Sequence, residues 1–171
     1  MKLMIASDIH GSAYYCEKLL EAYKKEGAER LLLLGDVLYH GPRNALPQEY
    51  APKSVISMLN EMKNEIICVR GNCDTEVDQM VLEFPILSES AVIFDGNVRI
   101  FATHGHKFNK DNLPPLCAGD VLVYGHTHVP LDTEVSGVRC LNPGSVSIPK
   151  EGSAHAYILY ENGEFLHKSL D

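Results

Sequence analysis

Short apolar runs alternate with one-sided amphipathic stretches through the first 75 positions, and each apolar run leads straight into small or polar residues. Lys2–Ala6 predicts a first strand. After it, Cys16, Leu19, Leu20 and Tyr23 recur at the spacing of one helix face, and Gly27 is placed to stop that helix. Arg30–Leu34 predicts a second strand. Pro52 suits the first turn of a helix whose Val55, Leu59 and Met62 repeat every three or four positions, and Ile66–Val69 follows as a third strand. Gly41–Ala51 between them holds two prolines and reads as an ordered surface loop. Repeated strand–helix units imply a parallel sheet.

The second half changes period. Ala91–Phe94 and Val98–Thr103 flank Asp95-Gly96-Asn97, and Ala156–Tyr160 and Glu164–Lys168 flank Glu161-Asn162-Gly163, both patterns of a β-hairpin. Val121–Tyr124 and Val138–Leu141 are further strands, so the later sheet is expected to be largely antiparallel or mixed. The expected architecture is α/β, with two sheets packed face to face and helices outside. No linker, low-complexity tract or internal repeat interrupts the chain, and residues 1–171 read as a single domain.

Composition adds limits to this picture. With 171 residues, 45% of them hydrophobic and 22% charged, the chain can build a core large enough to fold unaided. Fifteen Lys and Arg against 23 Asp and Glu give a net charge of −8, which leaves no general positive field to gather nucleic acid. No stable nucleic-acid complex is expected. Divalent cations held by clustered acids would reverse that charge locally, so a phosphorylated substrate stays compatible with it. The five cysteines are odd in number and form no CxxC pair, which fits reduced thiols in a cytoplasm better than a disulfide framework. Asp8 stops the apolar stretch near the start, and nowhere do roughly 18 apolar residues run together. A soluble, unexported, cytoplasmic protein without membrane contact is the expectation.

The chemistry-bearing residues sit where the strands end: Asp8-Ile9-His10, Gly35-Asp36, Gly71-Asn72-Cys73-Asp74, Thr103-His104-Gly105-His106 and Gly125-His126-Thr127-His128. Loops beyond the carboxyl ends of strands in an α/β sheet converge on one crevice, so dispersed segments can reach a single point. Asp8/His10 and His126/His128 are each separated by two, and an extended backbone would turn such pairs to one side. Singly, a His at a strand end is usually structural and an Asp before a turn is usually a turn-former. Together, carboxylates, an amide and imidazoles in one crevice call for cations. Two metal ions explain the set, and mixed oxygen and imidazole donors suit Mn²⁺, Zn²⁺ or Fe²⁺ better than Ca²⁺.

The succession DxH, GDxxxHG, GNCD, THGH and GHTH resembles the calcineurin-like metallophosphoesterase superfamily along nearly the whole chain. Within it, GDVLYHGPRNALP at 35–47, RGNCD at 70–74 and NPGSVSIPK at 142–150 are similar to the small bacterial YfcE-type phosphodiesterases. The resemblance implies a four-layer α-β-β-α sandwich. It implies one metal on Asp8, His10 and His128, a second on Asn72, His104 and His126, and Asp36 bridging them. It further implies hydrolysis of small phosphodiesters by a hydroxide activated between the two ions, Mn²⁺ being the favoured metal. Relatives are often oligomeric, which makes a homo-oligomer the expectation.

The catalytic positions implied are Asn72, Cys73, Asp74 and His104. Much of the superfamily carries His after the metal-binding Asn, able to protonate the leaving group, whereas this chain has Cys73. A protonated thiol there can donate, or Cys73 is a small packed residue. Asp74 is placed to orient a neighbouring imidazole, as the acid after this motif does in relatives. His106 stands beside His104 either to meet phosphate or to make a loop hydrogen bond, and Arg43 either clamps a phosphate or lies on the surface. Ser145 reads as a turn residue, His155 and His167 as structural, and Met58/Met62 as core. The alternative to an enzyme is a phosphoesterase fold kept as a protein-interaction scaffold, like the eukaryotic retromer subunit of the same superfamily. Such scaffolds typically have damaged ligand sets, and here all seven positions are filled.

Overall fold

The computed structural model describes residues 1–171, and its first strand, β1 (Lys2–Ala6), already contains the plan of the layers. Leu3 and Ile5 point to one face and Met4 and Ala6 to the other, all fully buried, because this strand lies in the middle of a sheet covered on both sides. β2 (Arg30–Leu33) and β3 (Ile66–Cys68) run parallel to β1 and extend the sheet on one side. The crossovers are α1 (Ala13–Glu26) and α2 (Pro52–Glu61). Ser12 caps α1 by accepting from the Tyr15 amide, and Gly27 closes it in the left-handed conformation at φ 64°. The apolar stripe Cys16, Leu19, Leu20 and Tyr23 packs with Val55 and Leu59 of α2 onto Met4, Leu31 and Leu33.

The chain then passes through the single turn α3 (Glu76–Gln79) into a second sheet. This sheet contains β4 (Ser90–Asp95), β5 (Val98–Thr103), β6 (Val121–Val123), β7 (Leu131–Val135) and β8 (Val138–Asn142), in the order β4-β5-β6-β8-β7. It is mixed: β5, β6 and β8 are parallel, while β4 and β7 add antiparallel edges. Between the sheets, Leu3, Ile5, Leu32, Leu34 and Ile158 meet Ile100, Ala102, Val121, Val123 and Leu141.

The two packed sheets are those expected; two features depart from the reading of the sequence and a third refines it. The last hairpin, β9 (Ala156–Glu161) and β10 (Glu164–Ser169), leaves the second sheet and returns to the first, where β9 pairs antiparallel with β1. Its run Ala-Tyr-Ile-Leu-Tyr is buried throughout, which suits a strand inside a covered sheet. β7 escaped the pattern because Leu-Asp-Thr-Glu-Val carries two acids. Its signal was the following Ser136-Gly137, both at positive φ (53° and 80°), as a tight hairpin turn requires. Finally, α1 and α2 cover only the first sheet. The second sheet's outer face is covered by the irregular stretch 104–120, through Leu113 and Leu116. No helix is long and apolar enough to cross a membrane.

Leu32 is fully buried between the sheets. Leu32→Ala is expected to cost about 3 kcal/mol, read as a lower urea midpoint at unchanged slope, and a loss below about 1 kcal/mol would contradict this shared core.

Candidate metal centre

Five segments meet where β1, β2, β3, β5 and β6 end, and cross-loop hydrogen bonds hold them together. The Asp8, His10 and Gly11 amides donate to the carbonyls of Gly35, Asp36 and Val37, lacing the exit of β1 to that of β2. The His126 amide donates to Asp8 Oδ2 at 3.1 Å, tying the exit of β6 to the first sheet. Asp8, His10, Asp36, His126 and His128 all take left-handed backbone, with φ between 48° and 67°. That corrects the expectation of extended DxH and HTH segments. The pairs converge because alternate residues are turned left-handed, a conformation that Asp, Asn and His tolerate better than most side chains and that costs roughly 1–3 kcal/mol per residue at such sites.

The side chains show why the arrangement is maintained. His10 Nδ1 lies 2.7 Å from the Tyr39 carbonyl, His128 Nδ1 2.7 Å from that of Ile148, and His104 Nδ1 2.7 Å from that of Leu34. A carbonyl oxygen only accepts, so Nδ1 carries the proton in each ring and the neutral ring's Nε2 presents a lone pair. Those lone pairs face other acceptors. The Nε2 atoms of His10 and His128 are 3.3 Å apart, and Asp8 Oδ1 lies 3.4 Å from the first and 3.2 Å from the second. Asp36 Oδ2 stands 3.4 Å from His104 Nε2 and 3.7 Å from His10 Nε2, between the two groups. Asn72 Oδ1 and His126 Nδ1 approach His104 Nε2 at 3.0 and 3.2 Å. All seven positions named from the sequence are therefore together.

Buried acceptors aimed at one another fit cations. Asp8 Oδ1 is fully buried and has no hydrogen-bond partner, a costly state for a carboxylate oxygen unless a positive charge meets it. Clusters Asp8–His10–His128 and Asp8–Asp36–His104 each bring their ligand atoms within 4.8 Å, consistent with a dinuclear site. The titration behaviour agrees. Burial opposes a charge on Asp8, yet the His10 and His128 imidazoles hold its carboxyl well below the usual range. Burial likewise opposes protonation of His104, and the Asp36 and Asp8 carboxylates override it, raising that imidazole to about 9.

Cys73 joins His10 and Asp36 within the same 4.8 Å reach, and its amide donates to Asp36 Oδ1 at 2.8 Å. Burial and the Asp36 carboxylate push its thiol up to about 12, so it stays protonated. The role expected for Asp74 is corrected: it touches no imidazole. Its Oδ2 accepts from the amides of Asp36 and Gly71 at 2.8 and 2.7 Å, and its Oδ1 from that of Val37 at 2.9 Å. Asp74 fixes the backbone that carries Asp36. A Cβ on Gly71 would collide with Asp36 Oδ1 and one on Gly35 with the Gly71 nitrogen, so both glycines allow β2 and β3 to exit side by side.

Several residues take supporting contacts that the sequence alone did not assign to them. Ser145 and Ser147 both donate to the Asp8 carbonyl, at 2.9 and 3.1 Å, and Asn142 donates to the Gly125 carbonyl and Thr127 Oγ1. NPGSVS is thus a brace behind two of the loops, and Ser145 is the turn residue expected. Lys150 lines the cavity over the centre with Arg43, Asn44 and Thr127, and its amide donates to the His128 carbonyl. His106 is exposed, its ring centroid 5.5 Å from that of His104. His155 stacks on Tyr15 at 3.7 Å and His167 bonds the Asn142 carbonyl, both away from the centre. Met58 and Met62 pack on the helix-side core.

Known proteins resemble this chain along its length. A family model described as the calcineurin-like phosphoesterase superfamily domain matches residues 1–164. Phosphodiesterase YfcE of Escherichia coli is 53% identical over 162 residues, which cover 95% of this chain and 88% of that protein. The solved structure of YfcE, a phosphoesterase from E. coli, superposes with a TM-score of 0.93 at 47% identity over 100% of both chains. Phosphodiesterase MJ0936 of Methanocaldococcus jannaschii is 28% identical over 152 residues, 84% of this chain and 83% of its own.

Asp74→Asn leaves one acceptor oxygen for three amides and turns an NH₂ toward a donor. A loss of about 2 kcal/mol in urea unfolding is expected. A variant as stable as the parent would show that these three bonds do not hold the Asp36 loop.

Proposed function

The chain belongs to the calcineurin-like phosphoesterase superfamily, and from that membership we propose that it hydrolyses small phosphodiesters at the centre formed by Asp8, His10, Asp36, Asn72, His104, His126 and His128. The observation carrying this reading is the convergence of unpaired acceptor atoms, above all the orphaned Asp8 Oδ1 between two Nε2 atoms. Asp8, His10 and His128 would hold one cation, Asn72, His104 and His126 the other, with Asp36 shared. Such cations, when bound there, would lower the pKa of water toward neutrality and offset negative charge on the phosphoryl oxygens. Carboxylate, amide and imidazole donors without a thiolate favour Mn²⁺, with Zn²⁺ and Fe²⁺ as the other candidates.

The remaining tasks fall to the chain itself. Arg43 and Lys150, the cationic residues lining the cavity, attract and orient the anionic ester in a protein of net charge −8. Asn72 offers a neutral oxygen, so it adds no negative charge beside an anion. Asp74 and the Ser145–Ser147 brace keep Asp36 and Asp8 in place by binding their backbone, so Asp74 acts on position rather than on the reacting atoms. Cys73, with its thiol held near 12, is a weak proton donor in the position where much of the superfamily carries a histidine. Five free thiols support residence in a reducing cytoplasm. An interaction scaffold would tolerate losses in the donor set, and no observation favours that second reading.

Aryl phosphodiester hydrolysis with Mn²⁺ should be abolished by a chelator and fall at least about 100-fold in Asp36→Asn, which removes a charge shared by both halves of the centre. Near-normal turnover of that variant at saturating metal would refute the assignment of Asp36. Across aryl diesters, rates should drop steeply as the leaving-group pKa rises, because protonation is not supplied. Cys73→His should flatten that dependence. Equal rates across the native series would show that an acid is at work after all.

A further inference from the structure

A second hollow, of about 360 Å³, adjoins the metal cavity. Leu38, Tyr39, Tyr50, Ile56, Val77 and Val81 form its apolar walls. Two features join it to the centre. Cys73 lines both hollows, and Tyr39, a lining residue of the groove, gives its carbonyl to His10 Nδ1. The wall is also left uncovered by the fold: Val77, Val81 and Tyr39 are 68%, 43% and 42% exposed, a cost in free energy unless something apolar comes to lie there.

Charge separates the two hollows. Arg43 and Lys150 stand in the metal cavity, whereas the only charged lining residue of the groove is Asp78. Both the amide and the hydroxyl of Thr75 donate to Asp78 Oδ2, at 2.7 and 2.9 Å, so these polar groups satisfy each other. A second phosphate or a carboxylate entering here would meet Asp78 with no cation to balance it.

We propose that the groove receives one organic arm of the diester, leaving the metal cavity past Cys73, and that this arm is uncharged and apolar, an alkyl or aryl group. The proposal rests on the phosphodiesterase reading and adds the substrate class to it. The phosphate stays beside Arg43 and Lys150 while the arm covers Val77 and Val81. By the same charge pattern, an arm that carries a further phosphate does not fit the groove.

Symmetrical dialkyl phosphates test this without regard to which arm enters. They are measured as competitive inhibitors of aryl phosphodiester hydrolysis by the Mn²⁺-loaded protein. The inhibition constant of dibutyl phosphate should be about tenfold below that of dimethyl phosphate, since several methylenes leave water. An ester of equal arm length ending in carboxylate should show no such gain. In Val77→Asp and Val81→Glu, surface changes whose folding is checked by thermal melting, the dibutyl-to-dimethyl advantage should fall toward one. Equal constants in the native protein, or an advantage that persists in both variants, would overturn the groove as a binding site. So would a loss of self-association in sedimentation with an unchanged advantage, because the groove would then be a subunit contact. Absence of aryl diester hydrolysis in the native protein would instead remove the phosphodiesterase reading itself.

Discussion

Three hydrogen bonds that never touch a substrate govern this molecule. By giving Nδ1–H to the carbonyls of Tyr39, Leu34 and Ile148, the rings of His10, His104 and His128 are fixed in one tautomer and one orientation. Their other nitrogens then point inward as acceptors. The carbonyls belong to the loop after β2 and to the brace after β8, so the direction of each donor atom is set by segments remote in sequence. The carboxylates of Asp8 and Asp36 are driven into the same space, and the result is a concentration of lone pairs that only positive charge can satisfy.

Such a centre opposes folding before any ion arrives. Five left-handed residues and a buried unpartnered oxygen are each unfavourable. The core offsets them: an inter-sheet layer and a helix-side layer, built on the alternating faces of β1, hold the strand ends at fixed separation. Asp74 shows how that rigidity reaches the site, for its carboxylate gathers three amides from two strand exits and so converts the spacing of β2 and β3 into the placement of Asp36. Functional precision here is a property of backbone hydrogen bonds, with the donor side chains as passengers.

The surroundings of the centre divide the work of recognition by polarity. Arg43 and Lys150 supply local positive charge on a protein that is negative overall, and the neighbouring hollow supplies apolar surface with an acid at its edge. An anion and a hydrophobic group therefore find separate places a few side chains apart, a division that neither net charge nor mean composition expresses.

Much of this was legible in the chain alone. Periodicity marked β1 through β3 with their helices, because buried parallel strands and one-sided helices leave regular apolar signatures, and the seven donor residues stood out because each followed such a strand. The last hairpin was legible as a hairpin, but not its sheet, since pairing between β9 and β1 joins residues some 150 positions apart and leaves no local trace. Lys150 and the Ser145–Ser147 brace were hidden for the same reason: their roles lie in contacts with Asp8 and His128 across the fold. The chain thus determined which chemical groups would be present and roughly where the strands would deliver them. Only the tertiary structure decided their handedness, tautomers and facing directions, because those depend on hydrogen bonds between loops that meet only after the two sheets have packed.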